Sequence, residues 1–206
     1  MNNRENTTVN AGEWFFRNRD WTPVPFWLIL FIATFIWRDR TFSAGFLIAG
    51  YTLIIFGEWV RMACIKRARS ITRTRSGKTG ERLIKEGMFR FSRNPIYVGN
   101  GLIGLGLTML TSFAAAPIIF FFLFMIQYTL VIAYEESVLE GKFGGEYREY
   151  KKLVPKWVGI SKLKKQPDPP DLEIYGSFKI LKSERHTLIS IILISLLMQL
   201  SYFIKF

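Results

Sequence analysis

Two short stretches of this chain carry polar residues in patterns suited to holding a ligand. The first is Arg90-Phe91-Ser92-Arg93-Asn94-Pro95-Ile96-Tyr97-Val98-Gly99. Pro95 suits the first turn of a helix, where it has no amide hydrogen to lose, and Asn94 suits the N-cap, where its side-chain oxygen can accept from free amides. A well-capped helix accounts for the Asn-Pro pair by itself. Arg90, Arg93 and Tyr97 add donors, and Gly99 permits close backbone approach, at a helix N-terminus that favours anions. A ligand carboxylate or phosphate fits there. The second stretch is Tyr134-Glu135-Glu136, followed by Phe143-Gly144-Gly145-Glu146-Tyr147. Its plainest account is a solvated amphipathic helix, with Val138, Leu139, Phe143, Tyr147 and Tyr150 at about helical spacing along an interface. That account explains less well two adjacent acids beside an apolar segment and opposite a basic loop. A carboxylate placed there can accept from ribose hydroxyls or pair with a ligand cation.

Other chemistries are excluded by counting. One cysteine, Cys64, allows no intrachain disulfide and no thiolate cluster, and one histidine, His186, leaves no imidazole-rich metal site. A Ser-His-Asp hydrolase would depend on His186 alone. The net charge of +12 raises the question of nucleic acid, but no aromatic-interleaved basic motif or known binding fold accompanies it.

The elements that must position these stretches are apolar. Half of the residues are hydrophobic, and they are segregated from the cations. Residues 23–37 are apolar, 41–65 are apolar apart from Glu58 and Arg61 near the end, and 96–134 contain no charge at all. A spanning helix needs roughly 20 apolar residues, so 96–134 accommodates two, with a turn near Thr111-Ser112-Phe113. The sequence predicts an all-α polytopic protein with five transmembrane helices, at about 23–38, 42–63, 96–111, 113–134 and 187–204. The first is short, and a re-entrant segment is the alternative. Lys66, Arg67, Arg69, Arg73, Arg75, Lys78, Arg82, Lys85, Arg90 and Arg93 crowd one loop, which the positive-inside rule makes cytoplasmic. The N-terminus and the segment after 135 then lie on that side, and residues 1–22 read as a cytoplasmic lead-in without the apolar core of a cleavable signal. The same cations would attract anionic headgroups at about 1 kcal/mol each.

The two stretches together resemble a known family. Leu83-Ile84-Lys85-Glu86-Gly87-Met88-Phe89-Arg90-Phe91-Ser92-Arg93-Asn94-Pro95-Ile96-Tyr97-Val98-Gly99, and then Glu135-Glu136 followed by Leu139, Phe143-Gly144, Glu146-Tyr147, Tyr150-Lys151-Lys152 and Val154-Pro155, are similar in order and spacing to the integral membrane methyltransferases. That superfamily includes isoprenylcysteine carboxyl methyltransferases and phospholipid N-methyltransferases. The resemblance covers residues 74–157 of one membrane domain spanning 1–206. It implies methyl transfer from S-adenosylmethionine to a membrane-embedded acceptor. Carried over residue by residue, it implies cofactor contacts from Glu81, Arg82, Leu83, Ile84, Phe89, Asn94, Pro95, Ile96, Tyr97 and Glu135. It implies no dedicated nucleophile and no metal, because the displacement needs orientation and exclusion of water.

Two departures bear on the acceptor. The family commonly has His before the proline, where this chain has Asn94, as phospholipid-type members also do. Prenylcysteine enzymes place a substrate-contacting arginine one turn before the acidic pair, and here that residue is Val131. The resemblance then puts Gln127, Tyr128 and Val131 beside the acceptor and favours a lipid amine or another uncharged lipophilic group. The alternatives are an isoprenylcysteine-type carboxyl O-methyltransferase, a non-catalytic lipid-binding or scaffold protein, and an NADPH-dependent sterol-type reductase. Residues 158–186, with Gln166-Pro167-Asp168-Pro169-Pro170-Asp171, read as a linker, and 187–204 as an extra helix for packing, a lid or a dimer contact.

Overall fold

The computed structural model describes residues 3–36, 43–72, 82–163 and 176–203, and all regular structure among them is helical. Seven α-helices run in order: α1 (Asn3–Arg17), α2 (Val24–Ile36), α3 (Ala44–Thr72), α4 (Pro95–Met109), α5 (Ala115–Phe143), α6 (Gly145–Leu153) and α7 (Ser177–Phe203), with a single 3₁₀ turn at Gly87–Arg90.

The packing centres on α4, whose glycines give it two contact faces. Toward α3, a Cβ on Gly57 would lie 2.8 Å from the Gly99 carbonyl oxygen, and one on Gly106 would lie 2.5 Å from that of Gly50. The helices are therefore antiparallel and in backbone contact at two levels, as small residues permit between helices with apolar surroundings. Toward α5, the rings of Phe120 and Phe124 fill the space left by Gly104 and Gly101. Ile54, Ile103, Leu107, Leu110 and Met198 form the core that joins α3, α4 and α7, and Trp27 and Phe31 of α2 pack on it.

The outer faces are apolar as well. Leu28 and Ile29 of α2, Ile48 and Ile55 of α3, Phe122 and Ile126 of α5, and Ile192 and Leu196 of α7 are all exposed. Only 39% of the apolar window of α3 and 22% of that of α5 is buried, so neither is the enclosed core helix of a water-soluble bundle. Their outward faces suit an apolar solvent. Helices stand at all five positions where spans are expected. Residues 44–67 and 115–143 are long and apolar enough to cross a bilayer on their own, whereas α2 has 13 residues and α4 has 15.

Four boundaries differ from the expectations. The second predicted helix, α3, runs on past residue 63 to Thr72, so Lys66 and Arg67 of the expected basic loop stand on a helix. The lead-in is a helix, α1, seated where Gly12 meets the backbone of α5 at Leu130 and the Cβ of Tyr134. Its sequence, NRENTTVNAGEWFFR, is too polar to announce a packed helix. The fourth predicted helix runs on past the acidic pair to Phe143 and ends at Gly144, whose φ of 53° glycine adopts without strain. The last helix begins at Ser177, ten residues before its expected start at 187, so part of the predicted linker is helical. Residues 164–175, with the proline-rich stretch, and 73–81 lie outside the described residues.

Candidate functional site

Two helix ends build the site. α4 starts at Pro95, and α5 passes it carrying the acidic pair. Before α4, the strap from Arg82 to Asn94 is bound to α6 and the chain after it. Leu83 is buried with Tyr147, Tyr150 and Val154 in a second small core, packed by Leu139 and Phe143. The Tyr150 hydroxyl donates to the Phe89 carbonyl at 2.7 Å, and Arg90 Nη2 donates to the Leu163 carbonyl at 3.2 Å. Lys85 pairs with Glu146 at 2.6 Å, and Arg82 with Glu86 at 3.1 Å. Burial pushes the Tyr147 and Tyr150 phenols well above the ordinary tyrosine range, and the negative charge of Glu136 adds to it. Both stay neutral at physiological pH.

The acidic pair divides its work. Glu136, which the amphipathic-helix account leaves facing water, is buried at 6% exposure and pairs with Arg93 at 2.8 Å. Arg93 also donates to the carbonyls of Lys151 at 2.7 Å and Val154 at 3.2 Å, and its backbone amide donates to Pro155. Arg93 and Arg90, read as donors for a ligand anion, are thus engaged in holding the strap. Glu135, half-buried, interacts with Tyr97, which joins the second stretch to the first.

Asn94 is the N-cap residue of α4, but its side chain makes no cap hydrogen bond. Its Nδ2 donates instead to the Lys156 carbonyl at 3.0 Å, while its own carbonyl accepts the amides of Tyr97 and Val98. Gly99 is likewise occupied, with its close approach taken by Gly57 and Arg61 of α3 rather than left open to a ligand. Of the cofactor-side residues named from the sequence, Asn94, Pro95, Ile96 and Tyr97 open α4 and Glu135 meets Tyr97. Arg82, Leu83, Ile84 and Phe89 lie on the strap, with Leu83 and Ile84 buried. Glu81 lies outside the described residues.

On the acceptor side, Tyr128 packs against Tyr97 with ring centroids 4.6 Å apart and stacks on Phe124 at 4.3 Å. Gln127 is partly buried, with its Nε2 making no hydrogen bond. Val131 is wholly enclosed, at 0% exposure.

The sequence did not point to two further groups. Arg19, just past α1, lies over the ring of Phe16 at 4.3 Å and within electrostatic reach of Tyr97, Tyr128 and Glu135. Nothing in the polar lead-in marks it. The other group gathers on Arg61 of α3, which donates to Glu184 of α7 at 2.5 Å, to Thr187 at 3.2 Å and to the side-chain oxygen of Asn100 on α4. Asn100 in turn interacts with Tyr128. Glu58 lies 3.6 Å from Arg61. Glu58 and Arg61 carry a usable signal, since ionisable residues three apart within an apolar run are expected to be paired or functional. Glu184 carries none, being 123 residues from Arg61.

Comparison with known proteins bears on this geometry. The family model for phospholipid methyltransferases matches residues 46–146. An Arabidopsis thaliana protein named protein-S-isoprenylcysteine O-methyltransferase B is 32% identical over 112 residues, which is 53% of this chain and 57% of that protein. The match thus spans little more than half of that relative's length. No solved structure matches the chain.

Proposed function

This chain belongs to the integral membrane methyltransferase superfamily, and on that premise we propose that it transfers a methyl group from S-adenosylmethionine to a lipid or other lipophilic acceptor at the cytoplasmic face of a membrane. The observation that carries the proposal is the meeting of Tyr97 with Glu135. It joins two stretches nearly forty residues apart at the mouth of the α4–α5 hairpin.

The donor set fits the cofactor. Glu135 has acceptor capacity beyond its contact with Tyr97, which suits ribose hydroxyls or an α-ammonium. The start of α4 suits a carboxylate. S-adenosylmethionine, when bound, supplies a methyl group on a sulfonium that any positioned lone pair can attack. What the chain contributes is position. Tyr97 fixes the Glu135 carboxylate, and the strap is held by Tyr150 and Arg90. Tyr128, Phe124 and Tyr97 form an aromatic wall on the membrane side. Exclusion of water and alignment of the reactants are the rate factors such a site controls. The exposed apolar faces of α2, α3, α5 and α7 support five spans in a bilayer, with the N-terminus and main loops cytoplasmic and the acceptor arriving laterally. Membrane and lipophilic substrate are the partners in this reading, and nucleic acid is not.

One observation favours a second reading, in which the acceptor carries a carboxylate as a prenylcysteine does. Arg19, just past α1, brings a guanidinium within electrostatic reach of Tyr97, Tyr128 and Glu135, with no ion-pair partner within 4 Å among the described residues. Calorimetry on purified protein tests the shared part of both readings. S-adenosylmethionine or its demethylated product is expected to bind without metal, and NADPH is not. Binding of NADPH alone would favour the reductase alternative and overturn both. Methyl-labelled cofactor supplied with a total lipid extract then identifies the acceptor, and binding without any transfer would leave the non-catalytic scaffold.

A further inference from the structure

The polar chain from α7 to the aromatic wall is continuous. Glu184 is buried, at 4% exposure, and accepts from both Nη2 and Nε of Arg61, at 2.5 and 3.2 Å. Arg61 Nη1 donates to the Asn100 side-chain oxygen. Asn100 stands one turn after Tyr97 on α4, where it interacts with Tyr128. The Tyr128 ring packs on Tyr97, with centroids 4.6 Å apart. The links from Glu184 to Asn100 are directional. A guanidinium is a planar fork, so holding its Nε–Nη2 edge on the Glu184 carboxylate oxygen sets the direction in which Nη1 donates. Glu58 pairs with Arg61 Nε at 3.6 Å without a hydrogen bond, so the directed contacts on the fork are those to Glu184.

We infer that Glu184 is a positioning residue for the acceptor side of the site, acting through Arg61 and Asn100 on Tyr128. This gives α7, which lies wholly beyond residues 46–146 of the family match, a role in the reaction as well as in packing. The inference rests on the methyltransferase reading.

The chain leads to Tyr128 on the membrane side and reaches Glu135 only through a ring contact, so the cofactor and the acceptor respond differently to its loss. The test uses the full-length protein in detergent, with phosphatidylethanolamine and an S-prenylcysteine as separate acceptor probes and methyl-labelled S-adenosylmethionine as donor. Glu184→Gln keeps the shape but weakens the hold on the fork. Its expected effect is a rise of about tenfold in KM for whichever acceptor wild type methylates, the scale of one charge-assisted bond. Affinity for S-adenosylhomocysteine is expected to stay within about twofold of wild type, a difference small beside that tenfold. Glu184→Asp is expected to recover part of the loss. Arg61→Lys keeps the ion pair with Glu184 but cannot hold the carboxylate and Asn100 together. It too should raise acceptor KM, although a contact that merely joined α3 to α7 would survive it. Arg185→Gln, on the exposed neighbour, is the control. An unchanged acceptor KM in Arg61→Lys or Glu184→Gln, with wild type active, overturns the inference and leaves the methyltransferase reading standing. Equal loss of cofactor and acceptor binding in Glu184→Gln also overturns it, by reducing the contact to packing. Wild-type protein that binds no S-adenosylhomocysteine and transfers no methyl group overturns the reading and the inference together.

Discussion

Replacing each member of the acidic pair by alanine should produce opposite defects. Glu136 sits at 6% exposure with the Arg93 guanidinium 2.8 Å away, and the Arg93 side chain is itself only 8% exposed. Removing the carboxylate leaves a buried cation, which costs about 3–5 kcal/mol where nothing else serves it. Arg93 keeps the carbonyls of Lys151 and Val154, so the lower end of that range applies, about 3 kcal/mol. In a chain of this size about 1 kcal/mol shifts the melting temperature by 2–4 °C, so Glu136→Ala should melt about 6–12 °C early. Its cofactor affinity, measured below that transition, should change little. Glu135→Ala loses a half-buried carboxylate whose neighbour is Tyr97. It should melt within about 4 °C of wild type, since one ordinary polar contact contributes about 1 kcal/mol. Loss of a charge-assisted bond to the cofactor, about 1.5–3 kcal/mol, should nevertheless weaken S-adenosylhomocysteine binding at least tenfold. The assays are thermal denaturation in detergent and calorimetry on the same preparations. Comparable small effects at both positions would refute the division of roles and restore the solvated-helix account, and an interchange of the two defects would place the cofactor against Glu136.

Other expectations follow from particular contacts. Gly57→Leu should abolish the folded protein, because its Cβ would already lie 2.8 Å from a backbone oxygen of α4, whereas Gly141→Ala, in open space, should be neutral in the same denaturation assay. Arg19→Gln should leave phosphatidylethanolamine methylation intact and, where a prenylcysteine is accepted, raise its KM; equal effects on both acceptors would rule out a role in carboxylate recognition. The Tyr147 and Tyr150 phenols have raised pKa values in the folded chain, so the stability they confer is full below the unfolded tyrosine value of about 10 and is lost as pH rises beyond it. Alkaline melting curves should show that loss, and Tyr150→Phe should reduce it.

The helices were legible because their signal is long and local. Residues 96–134 carry no charge, and the Thr111-Ser112-Phe113 break falls between α4 and α5. The family resemblance was legible for a related reason, since its motifs are contiguous strings at fixed spacing. The start of α7 was not, because Lys179, Lys182, Glu184 and Arg185 interrupt its first turns and read as loop. α1 was missed because its docking depends on the absence of a side chain at Gly12, which leaves no apolar stripe to detect.

Within the site, residue type predicted donors and acceptors but not their partners. Arg90, Arg93 and Gly99 have the properties a ligand site needs, and the fold applies those same properties to itself, in the strap and in the α3 crossing. Two adjacent glutamates cannot point the same way on a helix, since successive positions turn by about 100°. When one is committed to a buried arginine, the other must face a different neighbour. Here that neighbour is Tyr97, and the sequence-level question of which acid meets the ligand becomes a question of which acid Arg93 has taken. Arg61 is under the same constraint. An arginine in an apolar run must find a carboxylate, and Glu58 is its near neighbour in sequence, yet the closer pairing is with Glu184. A partner drawn from another helix restrains two elements where a partner on the same helix restrains one. That is why the α7 carboxylate, rather than the local one, can set the direction of the Asn100–Tyr128 chain.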